Sequence, residues 1–301
     1  MPATTLGHYA QHLRQLSWRD MFKYAWLTLL ATIALKLLAP AGLRDSLRPL
    51  ILVAPLLPFI AKDLAHWPDA RRRLRAAMAA RAWPRMLSAC LPPELIGLLR
   101  LDAAMRHGFM AWLRRRPQSA LPDGEAFTYL ERGAYRSVIA MALLAALFEL
   151  PLDAVLLPLF VKDEGELRLL HLLMASGSLS TLVWVLGDRW LVGRGCHVLG
   201  ADGLLLRIGA RTAGTIPLQA IADCRRMDGA PADWCREHGI ARHKTLLASP
   251  LDKPNTVLIL TTNSPVRLMH MGVARTGLDC VFLYVDRPGL LVDALHKAQR
   301  A

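Results

Sequence analysis

Glu149 and Asp153 are the residues of this chain best placed to do chemistry. They stand four apart inside an apolar run, so a helix puts both carboxyls on one face. The next apolar run carries His171 and the hydroxyls of Ser178 and Ser180. A turn centred near residue 164 and a rise of about 1.5 Å per residue set Glu149 level with Ser178 to Ser180. Asp153 falls about one turn from the level of His171. Carboxylates and imidazole at membrane depth are rare and mark proton or ion pathways. The same residues also suit a packing cluster, in which small residues let helices approach and hydroxyls bond a buried acid. Packing is the simpler reading. A transporter ordinarily has more helices and a second, related half, and no internal repeat is visible.

Other clusters say less. Arginine gathers at Arg71, Arg72, Arg73 and Arg75 and again at Arg114, Arg115 and Arg116. Either run suits contact with anionic lipid heads. Arg207, Arg211, Arg267, His270 and Arg275 suit a phosphate-binding face, although arginine is common throughout the chain. Cys235-x-x-His238, followed by His243, is a zinc-like spacing with no paired second motif. No phosphate-cradling Gly-Lys-Ser/Thr loop, HExxH or GxSxG is present. The expectation is no catalytic residue, no metal and no cofactor.

The elements that position these residues follow from hydropathy. The chain of 301 residues is 53% hydrophobic and carries a net charge of +13. Its mean hydropathy is +0.28 and its pI about 10.1. The basic residues flank apolar segments, as in membrane proteins, rather than forming a basic face on a polar fold. Nucleic acid is therefore not an expected partner, and the bilayer is. Tyr135 to Val161 and Leu167 to Val192 each exceed the roughly 20 residues that cross a hydrocarbon core. A first segment runs from about Phe22 to Ala39. There Lys36 can snorkel to the outer interface, and Ala39-Pro40-Ala41 resembles a signal-peptidase site. The long polar leader and the apolar run that follows favour an uncleaved anchor.

The second segment is weaker. Pro49 to Ala61 is short and holds three prolines. It spans if it begins near Ser46 and accepts Arg48 at the interface; a re-entrant element is the alternative. The loop from Lys62 to Arg136 is rich in arginine, including Arg81 and Arg85, while the turns at 40–46 and 162–167 are poor in it. Arginine accumulates inside. Both termini and the long loop are therefore cytosolic. Asp188 beside Arg189 reads as a structural ion pair near that interface. The five cysteines, Cys90, Cys196, Cys224, Cys235 and Cys280, all fall in cytosolic sequence, where thiols stay reduced.

Within the long loop, Pro92 and Pro93 suit a helix start, with Glu94 in the first turn. Leu95, Leu98, Leu99, Met105, Phe109, Met110 and Leu113 then recur at helical spacing, interrupted by Arg100, Arg106 and His107. Residues 118–125 read as a turn into the third membrane helix. From Cys196 the pattern changes to short strands. They fall at 196–199, 204–208, 212–216, 221–227, 245–248, 256–261, 266–271 and 279–285, with a loop at 228–242. Asn263-Ser264-Pro265 makes a turn, and Pro288 to Gln299 reads as an amphipathic helix.

Several strands, a long loop and one C-terminal helix resemble a pleckstrin-homology-like (PH-like) domain. The segments "HVLGADGLLLRIG", "TIPLQAI", "PNTVLILTT", "VRLMHMGVARTG" and "VFLYVDRPGLLVDAL" resemble bacterial membrane proteins with such a tail. "LRLDAAMRHGFMAWLRRRP" and "FELPLD" resemble the same uncharacterised multi-pass family. The resemblance implies an interaction domain tethered to the membrane and supplies no catalytic residue; fold alone does not fix a ligand.

The expected architecture is an α-helical transmembrane domain, residues 1–192, with about four helices at 22–39, 46–62, 135–161 and 167–192 and a cytosolic loop at 62–134. An α+β PH-like domain of antiparallel strands and a C-terminal helix follows at 193–301. The expected protein is a non-enzymatic component of a bacterial inner membrane whose tail binds a protein partner or anionic lipid. The alternative is a small ion- or proton-coupled transporter using Glu149, Asp153 and His171.

Overall fold

The structure is a computed structural model that describes residues 13, 18–44, 48–80, 91, 93–118, 120–249, 251–262 and 264–300. Expectations placed on Ser46, Arg81, Arg85, Cys90, Pro92 and Asn263 lie outside the described residues. The chain forms two compact units, Met1–Pro93 and Glu94–Ala301.

The first unit is helical: α1 (Trp18–Leu38), α2 (Ala41–Arg44), α3 (Arg48–Val53), a 3-10 turn (Ala54–Leu56) and α4 (Leu57–Ala79). Proline lacks an N–H and is tolerated where a first turn needs none. Pro55 and Pro58 occupy such positions, so the helical path continues from α3 to α4. Pro49–Ala79 is long and apolar enough to cross a membrane. The sequence ends this segment at Lys62, but the helix carries on to Ala79. A charged side chain does not end a helix, because its backbone still bonds in register. Lys62 itself is only 2% exposed.

The second unit opens with α5 (Pro93–Leu113) and a short strand, β1 (Glu125–Thr128). Two long helices follow, α6 (Tyr135–Phe160) and α7 (Glu164–Val192), which pack along each other. Asp163 caps α7, its Oδ1 accepting from the Glu166 N–H at 2.8 Å. Gly193, at φ 59°, ends it. Pro151 cannot complete the backbone ladder of α6, and the axis bends by 47° between Tyr135–Glu149 and Pro151–Leu159. Among the described residues two helices are long and apolar enough to cross a membrane, or three if the bent α6 is one span. Their flanks leave Leu147, Phe148, Val155, Leu172 and Leu179 largely exposed.

The rest of the unit is built on two sheets. The first has the order β1-β2-β3-β4-β8-β9, with β2 (Cys196–Gly200), β3 (Gly203–Ile208), β4 (Thr212–Ile216), β8 (Leu268–His270) and β9 (Val273–Arg275). The second has the order β5-β7-β10-β6, with β5 (Ile221–Arg226), β6 (Thr245–Ala248), β7 (Thr256–Leu260) and β10 (Cys280–Leu283). Helix α8 (Pro231–Glu237) precedes β6, and α9 (Pro288–Arg300) closes the chain. Leu291 and Leu295 of α9 join Leu204, Leu206, Leu258 and Val281 in one buried core.

Three features depart from the sequence reading. Residues 125–128, of which the sequence reading gives only Glu125 to a turn and none to a strand, form β1, which pairs antiparallel with β2 so that Phe127 faces His197. The loop at 228–242 contains α8, with Pro231 in its first turn. The strands are not all antiparallel, because β10 lies between β6 and β7 and runs parallel to β6. The two strand pairings depend on partners distant in sequence, which local pattern does not encode.

Helix α5 crosses α7 at glycine. A Cβ at Gly108 would meet the Gly187 carbonyl and Leu191, and one at Gly187 would strike the Met105 carbonyl. Gly187→Ala is expected to cost about 1–3 kcal/mol by overpacking. Gly177, with nothing within 4 Å of its Cβ position, is the control: Gly177→Ala should leave stability unchanged or raise it by up to about 1 kcal/mol. Thermal unfolding of the purified chain in detergent reads both.

Candidate functional site at the root of the helical hairpin

Tyr135 opens α6, and Asp188 lies about one turn before the end of α7. The Tyr135 hydroxyl donates to Asp188 Oδ2 at 2.8 Å. Arg211, in the turn between β3 and β4, donates to the same oxygen at 2.8 Å. The Asp188 side chain is 2% exposed and that of Arg211 22%. Gly209 in the same turn, at φ 52°, lies against Val192 and Asp188 with no room for a larger residue to sit as close. The sequence pairs Asp188 with Arg189. Adjacent residues on a helix do not face each other, and Arg189 instead donates to the Gly193 carbonyl at 3.1 Å.

The neighbouring core is polar as well. Tyr129 donates to the Arg207 carbonyl at 2.9 Å, and its ring lies 5.0 Å from that of His197. His197 is fully buried and its Nδ1 accepts from the Arg207 N–H at 3.3 Å. Burial pushes the His197 pKa down to about 4 and raises that of Tyr129. His197 Nε2 and Asp188 Oδ1 are buried with no hydrogen-bond partner among the described residues.

Two carboxylates from the tail hold the bend that leads into α6. Asp286 accepts from the N–H groups of Glu131 at 2.9 Å and Arg132 at 2.8 Å. Asp252 accepts from the Ala134 N–H at 2.6 Å. Tyr135, Ile139 and Val192 belong to the same buried cluster as the strands. Both roots of the hairpin are thus seated in the core of the sheet region.

The residues singled out by sequence fall in separate places. Ser178 donates to Glu149 Oε2 at 2.7 Å, linking α6 to α7 at the level that helical rise requires. Ser180 is exposed. Asp153 Oδ2 and His171 Nε2 are buried with no partner among the described residues. Arg71 is exposed, Arg72 pairs with Asp69, and Arg73 is half-buried with Nε unpartnered among the described residues. Arg114, Arg115 and Arg116 are exposed just beyond α5. Strand register puts Arg207 and Arg267 on one face with the exposed Met269, two strands apart. Arg211 is turned inward to Asp188. His270 faces Thr212 at 2.9 Å, and burial pushes its pKa down to about 4.

Cys235 of α8 meets Cys280 of β10 rather than His238, and burial raises both thiols, Cys280 to about 12. His238 stacks on Trp234 with ring centroids 4.0 Å apart. Among the described residues no three His, Cys, Asp or Glu side chains converge to hold a metal. The Tyr135–Asp188–Arg211 node is the feature sequence reasoning missed. Its only signal was an acid near the end of an apolar run and an arginine two residues after a turn glycine.

Arg211→Ala leaves a buried carboxylate unpaired and is expected to cost about 3 kcal/mol, whereas Asp188→Leu combined with Arg211→Leu should recover most of that loss. Tyr135→Phe removes one bond to a charged acceptor and should cost about 1–2 kcal/mol. Denaturant unfolding of the reconstituted chain compares them. His197 unfolded takes up a proton below about pH 6.5, but folded only near pH 4. Its contribution is therefore present above pH 6.5 and lost as pH falls toward 4, by about 3 kcal/mol. His270 acts in the same direction. Unfolding midpoints across that range should fall in the native chain and flatten in His197→Gln.

Comparison of the chain with models of protein families, with characterised proteins and with solved structures gives no match to any of them.

Proposed function

We propose that this chain is a non-enzymatic, multi-pass protein of a bacterial inner membrane that presents a cytosolic PH-like domain to a protein partner or to anionic lipid heads. In this reading about four helices cross the bilayer and both termini are cytosolic. The observation that carries it is the seating of α6 and α7. Their flanks expose long apolar surfaces, as lipid requires, while their roots, Tyr135, Ile139 and Val192, sit inside the core of the sheet region. A domain so joined moves with its membrane helices rather than on a flexible linker. Arginine at the exposed end of α5 and the shared face of Arg207 and Arg267 give the cytosolic side a positive character suited to anionic lipid.

One observation favours a second reading, a small proton- or ion-coupled transporter. Glu149 is bonded to Ser178 between two membrane helices, and Asp153 and His171 each hold a buried polar atom without a partner among the described residues. Such groups mark pathways when they line a water-filled route. The simpler account is helix packing, because the Glu149–Ser178 bond already satisfies the acid across the helix interface.

Alkaline carbonate should leave the chain in the membrane fraction; release into the supernatant would sink the membrane reading. Proton flux into proteoliposomes separates the two functions. Glu149→Gln should leave flux and folding unchanged if Glu149 only packs, while a flux lost with the fold intact supports transport. For lipid contact, Arg207→Glu with Arg267→Glu should weaken association with anionic nanodisc lipid by about 1 kcal/mol per arginine, read as amide exchange in β3 and β8.

A further inference from the structure

β1 is the outer strand of its sheet. The Tyr129 N–H bonds back to the Gly195 carbonyl at 2.9 Å, which fixes the alternation of hydrogen bonds along the strand. Phe127 then faces β2 with its backbone groups, and Ala126 and Thr128 direct theirs away from the sheet. The Thr128 carbonyl is taken by the Asp286 N–H at 2.8 Å. The Ala126 N–H, the Ala126 carbonyl and the Thr128 N–H have no partner among the described residues. Ala126 and Thr128 also line a cleft of about 180 Å³, together with Phe127, Glu131, Arg287 and Leu290. Leu290 is 51% exposed. Arg287 is exposed.

We infer that this cleft binds an extended peptide segment of a partner protein, which adds a strand to the edge of β1 beside α9. The inference rests on the interaction-domain reading above and names the partner's chemistry. Alternating donor and acceptor groups match a peptide backbone. A lipid phosphate offers acceptors alone and leaves the Ala126 carbonyl unpaired. The exposed Leu290 supplies an apolar contact for one side chain. Arg287 selects an acidic side chain, and Glu131 on the same cleft rejects a second acid beside it. The segment is therefore extended, with one acid next to an apolar residue. Its docking site also adjoins the Asp286 carboxylate that holds the entry to α6, so binding bears directly on the hairpin root.

The test uses the full chain in nanodiscs of neutral lipid. The probes are eight-residue peptides of alternating Thr and Val with a single Asp scanned through the positions, and the same peptides N-methylated at alternate amides. Fluorescence anisotropy should show binding that depends on the Asp position. N-methylation should weaken it about tenfold or more, since each lost backbone bond removes about 1 kcal/mol. Amide exchange at Ala126 and Thr128 should slow at saturation. Ala126→Pro removes the outward N–H at a position where an edge strand tolerates proline; it should keep the melting temperature and lose binding. Arg287→Glu should shift the preference from Asp to Lys peptides. The inference is overturned if no peptide of the set binds, if Ala126 exchange is unmoved at saturation, or if Ala126→Pro binds as the native chain does. It is also overturned if anionic vesicles, or dimerisation without peptide, protect Ala126 instead. Carbonate extraction is scored separately, so a chain that leaves the membrane sinks the tether reading without deciding the peptide result.

Discussion

A carboxylate buried at the foot of a long apolar helix constrains everything around it. Taking the Asp188 charge out of water costs several kcal/mol unless donors replace the lost hydration. Two donors do so, Tyr135 from the paired helix and Arg211 from the sheet. Each comes from a different element, so Asp188 Oδ2 receives both donors only when α6, α7 and the β3–β4 turn are all in place. That turn can reach the helix because Gly209 has no side chain to hold it away. Asp188 therefore links the formation of the hairpin to the formation of the sheet.

The same logic runs through the other root. The bend before α6 exposes backbone N–H groups that no helix satisfies. Asp286 and Asp252 supply the acceptors. Asp286 itself precedes α9 and lends its own N–H to Thr128, so β1, α6 and α9 share one short polar junction. Further out, Ser178 and Glu149 tie the two helices within their apolar stretch. The hairpin is joined at its root by charge and along its length by the Glu149–Ser178 contact.

Helix α5 braces this arrangement by close approach rather than by charge alone. Its backbone meets α7 at Gly108 and Gly187, and its first turns meet the β8–β9 turn where Gly97 faces Gly272. Asp102 adds a polar anchor, accepting from the Trp184 indole at 2.8 Å and pairing with Arg106. Arg106 interrupts an apolar pattern in the sequence; in the structure it serves the acid that holds α7.

Much of the architecture was legible because it is local. Helical periodicity and length gave α5, α6 and α7 to within a few residues, and the 1.5 Å rise placed Glu149 beside Ser178. Glycine and aspartate turns gave the β2–β3 hairpin, and Pro288 gave the start of α9. What escaped was non-local. β1 is four residues long and exists only through β2. The parallel β6–β10 pair joins residues 35 positions apart in the chain, Thr245 and Cys280. The helix past Lys62 continued where a charge had suggested an end, because backbone bonding does not depend on side-chain polarity. Above all, the sequence showed an acid beside Arg189 and an arginine among many others. Helical geometry forbids the first pairing, and only the folded topology brings Arg211 to Asp188. Residue pattern determined which segments are apolar helices and which are strands, since each such element satisfies its own local periodicity. Tertiary structure decided which charges are neutralised, since a buried ion chooses its partner by position in space.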